Sequence, residues 1–467
     1  MPDKANTSKH FHFIAIGGAA MHNLAIALHT KGFVITGSDD EFAEPSRTNL
    51  NNYGLLPEKE GWFPEKITDK LDAVILGMHA RADNPELIRA QHLGIKIYSY
   101  PEYLYEFSKH KKRVVIGGSH GKTTITAMVL HVLKQNKFNC DYMVGAKLEG
   151  FDNTVKLTED APVIVLEGDE YLSSPVDRRP KFHLYKADIG VISGIAWDHI
   201  NVFPTFENYV EQFRIFADNI PSTGAFIYCN EDEEVKKVAA QTTSKCVKIP
   251  YGIPWHEIRN GMTWLQPGGK EKIPLQVFGE HNLMNAEAAR NICSELGISD
   301  ADFYKAISSF KGASRRLELL GRNDATAVYK DFAHSPSKLK ATIDAVKKQF
   351  GDKELIACME LHTFSSLNED FLNEYKGSMD KANEAIVYFN PHTIEHKKLK
   401  PIVAGQIKKA FARDDIKVFT DSETMRTYLL GHEWANKTLL MMSSGTFGNM
   451  DLQELVKHIL KQSEVSL

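Results

Sequence analysis

The chain has 467 residues, 43% of them hydrophobic and 25% charged, with a formal net charge of −4. At roughly 100 to 200 residues per domain, that length allows about three buried cores. The near-balanced charge excludes the basic excess that neutralises a nucleic-acid backbone, and five scattered cysteines without a C-x-x-C pair exclude a disulfide framework or a zinc knuckle.

The N-terminal stretch MPDKANTSKH is polar and lacks an apolar signal core, and no apolar run reaches the roughly 18 residues of a membrane span. The expectation is a cytoplasmic protein with no nucleic acid and no membrane insertion, and no obligate protein partner is inferred. From His12, short apolar runs alternate with helical-period stretches: HFIAI, a helix near 19–30, FVITG, AVILG, a helix near 85–93, then IKIYS. That alternation predicts parallel strands joined by crossover helices. The basic run KHKKR at 109–113 reads as a solvated linker. A second series follows: RVVIG, a helix over 122–135, APVIVLE, DIGVISG and a helix over 206–218. Residues 247–280, rich in Pro and Gly, read as irregular β structure. A third series starts near Ala327 with AVYKD, a helix over 337–350, LIACME, AIVYF, IKVFT and TLLMMSS, and ends in a helix through 460. The restarts divide an α/β chain into three domains, 1–109, 110–321 and 322–467.

Residues 117–124 read GGSHGKTT, after an apolar strand and before an amphipathic helix. The common phosphate-loop pattern G-x-x-x-x-G-K-[ST] would need a glycine at 116, where Ile116 stands. Glycines at 117, 118 and 121 nevertheless let backbone N–H groups converge on an anion at a helix N-terminus. Lys122 would reach the β and γ phosphates, and the Thr123 hydroxyl would face Mg²⁺. The bland alternative is a tight turn with an exposed lysine. It does not account for strand, glycines, lysine and paired threonines together.

The shortened pattern G-[ST]-x-G-K-[TS]-[TS], here Gly118, Ser119, His120, Gly121, Lys122, Thr123 and Thr124, resembles the ATP-binding loop of the Mur ligases, which build the peptide stem of peptidoglycan. The resemblance implies three domains: a Rossmann-like UDP-binding domain, a central P-loop ATPase-type domain and a Rossmann-like C-terminal domain. Further segments match in order. In EGDEY, Glu167 resembles the carboxylate that bridges two magnesium ions. In IAWDH, His199 resembles the ligand of the second metal. Fifteen residues on, where some members carry a carbamylated lysine, stands Arg214, which cannot form the carbamate. GEHNLMNAEAA places Asn282 at an apparent N-cap and Asn285 one turn later, and the resemblance gives Asn285 to the adenine edge with Asn282 and His281 as neighbours. In SRRLELLG, Arg316 would contact phosphate. In YKDFAHSP, Asp331 resembles the residue that holds the ribose or orders the phosphates, with His334 beside it.

In the first domain, HFIAIGGAAMHNLAIAL breaks the dinucleotide fingerprint, because Ala15 and Ala20 take two glycine positions. Gly17 and Gly18 still favour a diphosphate at a helix start, and Asp39 after the second strand is placed for a ribose. The segment resembles the UDP-binding domain of the branch that activates UDP-N-acetylmuramate, with His79 and Arg81 as candidates for the nucleotide sugar. DEY, FAHSP and MSSGTFG lie closer to the recycling branch, which joins a murein tripeptide, than to the branch that adds L-alanine, where DES and YGHHP are typical. ELHTFSSLN at 360–368 departs from the E-P-R-S-N-T expected of the recycling branch and leaves the incoming amine open. The resemblance implies ATP-dependent amide formation through an acyl phosphate, with ATP and Mg²⁺ as cofactors and Lys122, Glu167, His199 and Arg316 as catalytic residues. A nucleotide-sugar-binding regulator without catalysis and a Rossmann oxidoreductase are the readings from other classes.

Overall fold

The first series folds as four parallel strands, β1 His10–Ile14, β2 Val34–Ser38, β3 Ala73–Leu76 and β4 Ile97–Ser99, in the order β2-β1-β3-β4. Every residue of β3 is buried, which is why it reads as an unbroken apolar run rather than an alternation. The computed structural model describes residues 8–197, 202–259, 261–269, 272–312 and 317–465.

The second series builds a seven-stranded sheet from β5 Lys112–Gly117, β6 Cys140–Met143, β7 Val155–Lys156, β8 Val163–Glu167, β9 Ile189–Ile192, β10 Ala225–Cys229 and β11 Val247–Tyr251. Their order is β11-β10-β9-β5-β8-β6-β7, parallel except for the β6/β7 pair. After β5 the chain fills one side of the sheet through β8 and then crosses to the other at β9. The carboxyl end of β5 is therefore a topological switch point, where open α/β sheets bind ligands.

The segment expected to be irregular splits. Its first strand, β11, joins the central parallel sheet, and the rest forms a small antiparallel meander of β12 His256–Arg259, β13 Met262–Leu265 and β14 Ile273–Leu275. The third series gives β15 Glu318–Arg322, β16 Thr326–Asp331, β17 Glu354–Leu361, β18 Glu384–Phe389, β19 Lys417–Phe419 and β20 Lys437–Met442, in the order β15-β16-β20-β17-β18-β19. All pairs are parallel except β15/β16. Glu318–Arg322, within and just past SRRLELLG, is thus the antiparallel edge strand of the third sheet. By internal contacts the chain forms two compact units, Met1–Gly252 with Met284–Ile307, and Ile253–Leu283 with Ser308–Leu467.

The helices Ala19–Thr30, Lys122–Gln135 and Phe206–Asp218 have the bounds expected from their apolar period. A helix at Tyr100–Ser108 was not foreseen. It starts at a capping box, with Ser99 as N-cap and Glu102 returning to the Ser99 backbone. The run 109–113 is not a solvated linker throughout. The Lys111 side chain is 8% exposed and pairs with buried Asp141 at 2.7 Å, and Arg113 donates to the carbonyls of Ser108, Lys109, Lys111 and Lys186. These charges close the helix end and pin it to β5. The five cysteines are free and buried, and no helix among the described residues is long and apolar enough to cross a membrane.

Candidate functional site

The turn between β5 and the helix Lys122–Gln135 is made by glycines that tolerate no substituent. Gly118 has φ +131°, and a Cβ there would overlap Ser193 Oγ at the end of β9. Gly121 has φ +81°, and its Cβ would lie 2.6 Å from Asn285 Oδ1. Backbone and neighbouring side chains thus touch where a larger residue would hold them apart. Gly121 is the N-cap and no side chain caps this helix, so its first N–H groups remain for a ligand. Asn285, expected at the adenine edge, is buried and stands directly on this loop.

The loop is tied to the sheet by one directed chain. Ala196 N–H donates to Ser119 Oγ (2.9 Å), Ser119 meets the Tyr209 hydroxyl (2.9 Å), and Tyr209 donates to Glu170 Oε1 (3.2 Å). The Lys122 ammonium lies 2.6 Å from Glu170 Oε2 and 2.5 Å from the Gly118 carbonyl. Thr123 Oγ1 donates to Glu167 Oε1 at 2.7 Å, and Gly145 N–H holds Glu167 Oε2 at 2.7 Å. Asp169 pairs with Lys181 at 2.6 Å. Burial pulls the Lys122 pKa down, but the carboxylates of Glu170, Asp169 and Glu167 outweigh it and raise the net value. Burial pushes Asp169 up, and Lys181 with Lys122 more than reverses this, to about 2. Three carboxylates against two ammonium groups leave a local negative excess, suited to a divalent cation that accompanies a polyphosphate. Among the described residues no three His, Cys, Asp or Glu side chains form a metal cage.

Sequence reading quoted Glu170 without giving it a role, and it missed Tyr209. A tyrosine at a core position of a helical period looks like packing, and Tyr209 is indeed fully buried; only its hydroxyl carries the other purpose. His199 and Arg316 lie outside the described residues. Arg214 pairs with Glu211 and Asp218 along its own helix.

In the first domain the broken fingerprint still makes the turn. Ala15 adopts φ +66°, the left-handed conformation a glycine would take, and its N–H bonds the Ser38 carbonyl. Gly17 N–H donates to Asp39 Oδ2 at 2.7 Å, and Gly18 is the N-cap of the helix Ala19–Thr30. Asp39 is buried, which pushes its pKa up to about 6 against the opposing Gly17 bond, with a smaller push from Asp40. His79 and Arg81 are exposed past the end of β3, where Arg81 pairs with Asp83.

Two expected residues belong to the second compact unit. Asn282 is not an N-cap, because the helix runs Glu280–Glu295 and its side chain donates to the Phe278 carbonyl from inside the first turn. Asp331 ends β16 with both oxygens engaged: Oδ2 accepts Leu317 N–H at 2.7 Å, and Oδ1 accepts Ala333 N–H at 2.7 Å and the Thr342 hydroxyl.

Family models for the Mur ligase family catalytic domain, the Mur ligase middle domain and the Mur ligase glutamate ligase domain match residues 10–112, 116–293 and 315–445. A UDP-N-acetylmuramate–L-alanine ligase of Sulfurihydrogenibium sp. is 34% identical over 382 residues, 80% of this chain and 81% of that protein. The chain belongs to the Mur ligase family. Like other Mur ligases it is an ATP-dependent amide ligase of the ADP-forming type. Its fold is that of a murein peptide ligase from Psychrobacter arcticus (22% identity, 97% of this chain and 99% of that one, TM-score 0.63). It is equally that of a UDP-N-acetylmuramate–alanine ligase from Thermotoga maritima (19% identity, 98% and 100%, TM-score 0.70).

Proposed function

We propose that this Mur ligase joins the lactyl carboxylate of UDP-N-acetylmuramate to the amine of a murein tripeptide, at the expense of ATP. The observation that carries the ATP half is the uncapped helix N-terminus at Lys122, where the Lys122 ammonium and the Thr123 hydroxyl rest on the Glu170 and Glu167 carboxylates. These are the groups that a triphosphate and its cation would draw away.

An oxide is too poor a leaving group for direct amide formation. Attack of the lactyl carboxylate on the γ phosphate gives an acyl phosphate and releases ADP, and the peptide amine then displaces phosphate through a tetrahedral intermediate, losing a proton. What the protein must supply is positioned positive charge and proximity. Lys122 and the loop N–H groups do this on the phosphate side, and Asn285 stands at the loop for the adenine. Gly17, Gly18 and Asp39 fit the diphosphate and ribose of the UDP-sugar.

Mg²⁺ fits the oxygens present. Thr123 Oγ1 and Glu167 Oε1 are hard donors side by side, and such an ion takes one or two protein oxygens and completes its shell with water and phosphate. Bound there, it would neutralise charge developing on the transferred phosphoryl group.

The tripeptide reading is supported by DEY after Glu167 and by FAHSP. The 34% identity to an L-alanine ligase favours L-alanine as the second reading. Phosphate release with UDP-N-acetylmuramate and ATP, offered either L-alanine or the tripeptide, decides between them: turnover with the tripeptide alone is expected, and turnover with L-alanine alone refutes it. Lys122→Ala should abolish product while UDP-sugar binding stays within a few fold; equal loss of both would contradict the separation of the two sites.

A further inference from the structure

Glu170 touches neither phosphate nor cation in the scheme above, yet it is the most enclosed charge at the loop, with 2% of its side chain exposed. Its two oxygens reach the phosphate loop at two points, Lys122 and, through Tyr209, Ser119. Oε2 takes the Lys122 ammonium at 2.6 Å, and Oε1 ends the chain that runs through Tyr209 to Ser119. We propose that Glu170 is a positioning residue that parks Lys122 in the nucleotide-free enzyme and competes with the polyphosphate for it, setting nucleotide affinity and speeding release of ADP.

The physical reason is charge bookkeeping in a confined space. A triphosphate that draws Lys122 away takes one cation from Glu170 and sets a buried carboxylate beside a polyanion. Binding is therefore opposed by a repulsion that the enzyme already contains. The same repulsion, and the return of Lys122 to Glu170, favour the departure of ADP. Glu167 and Asp169 are placed differently: Glu167 meets Thr123 and Gly145 N–H, and Asp169 meets Lys181, so neither shares its bonds with Lys122 in the free enzyme.

The inference rests on the ATP site being this loop, and its test separates the two. Binding of ADP and ATP to the free full-length enzyme is measured by titration calorimetry for wild type, Glu170→Gln and Glu170→Asp, with thermal melting as a check on folding. Steady-state kcat and KM for ATP follow. Gln keeps the size and the acceptor for Tyr209 but removes the charge. It should tighten ADP binding by about tenfold, the order expected of one close like-charge contact relieved in a partly screened site, and lower kcat and KM for ATP together. Asp keeps the charge and should stay nearer to wild type than Gln does. If wild type binds no nucleotide, the ATP reading itself fails. If wild type binds and Gln binds equally or more weakly, Glu170 is only a structural partner of the loop and the inference is overturned. Were Gln to melt early, Asp binding ADP as tightly as an uncharged site should would overturn it as well.

Discussion

Asp39→Asn isolates the cost of keeping one acid buried at the first domain's loop. The carboxyl titrates near 3.8 when the chain is unfolded and near 6 in the folded protein, because burial penalises its charge more than Gly17 N–H rewards it. Folding therefore takes up a proton between these values. The contribution of Asp39 is fully favourable below pH 4 and is lost as pH rises through 6, so at pH 7.5 the ionised side chain costs the fold about 3 kcal/mol, at ~1.4 kcal/mol per pKa unit. Asparagine removes that charge but offers one oxygen where the carboxylate accepts both Gly17 and Asp40 N–H, which returns about 1 kcal/mol. The net expectation is stabilisation of the first unit by about 2 kcal/mol at pH 7.5, shrinking to nothing or reversing at pH 4.5. Thermal melts of both proteins at pH 4.5, 5.5, 6.5 and 7.5 read this as a gap in Tm that opens with pH. A gap that does not change with pH, or an asparagine variant that melts first at pH 7.5, would refute the account of Asp39.

Gly118→Ala should abolish nucleotide binding in calorimetry, since its Cβ would overlap Ser193 Oγ on a backbone at φ +131°; Gly405→Ala, a helix position with nothing nearby, should bind normally and gain about 0.5–1 kcal/mol of stability. Lys111→Ala, which takes the cation from buried Asp141 and leaves it the Thr158 donors, should destabilise by about 3–5 kcal/mol in chemical denaturation.

Where the chemistry is local, sequence reading sufficed. Glycines before a lysine, strand-like runs such as β3 and β5, and helices with a clear apolar face all announce themselves over a dozen residues. What could not be read were bonds between distant segments. Tyr209 lies 90 positions from Ser119, and neither residue's neighbours signal the other. The run at 109–113 failed for a related reason: a basic cluster looks solvated until Asp141 and a ring of carbonyls close around it. Asn282 misled because helix starts shift by a turn where Gly279, at φ +87°, turns the chain in before it.

The acids at strand ends show why residue type alone does not separate a ligand from an anchor. Asp39, Glu167, Asp331 and Glu360 stand at or near the carboxyl ends of parallel strands, and each accepts a backbone N–H from another segment: Gly17, Gly145, Leu317 and Phe447 respectively. All four therefore pin loops. They differ in the second oxygen. In Asp331 it takes the Ala333 N–H, a donor fixed by the fold, and in Glu360 the Ser443 hydroxyl shares an oxygen with Phe447 N–H. In Glu167 it takes, among the described residues, the Thr123 hydroxyl, a rotor at the mouth of the phosphate loop that can turn aside without moving the backbone. A carboxylate whose remaining partner can leave at no structural cost is the one able to exchange it for a cation. By that criterion Glu167 suits the cation proposed above, while Asp331 holds the start of β15 against the end of β16.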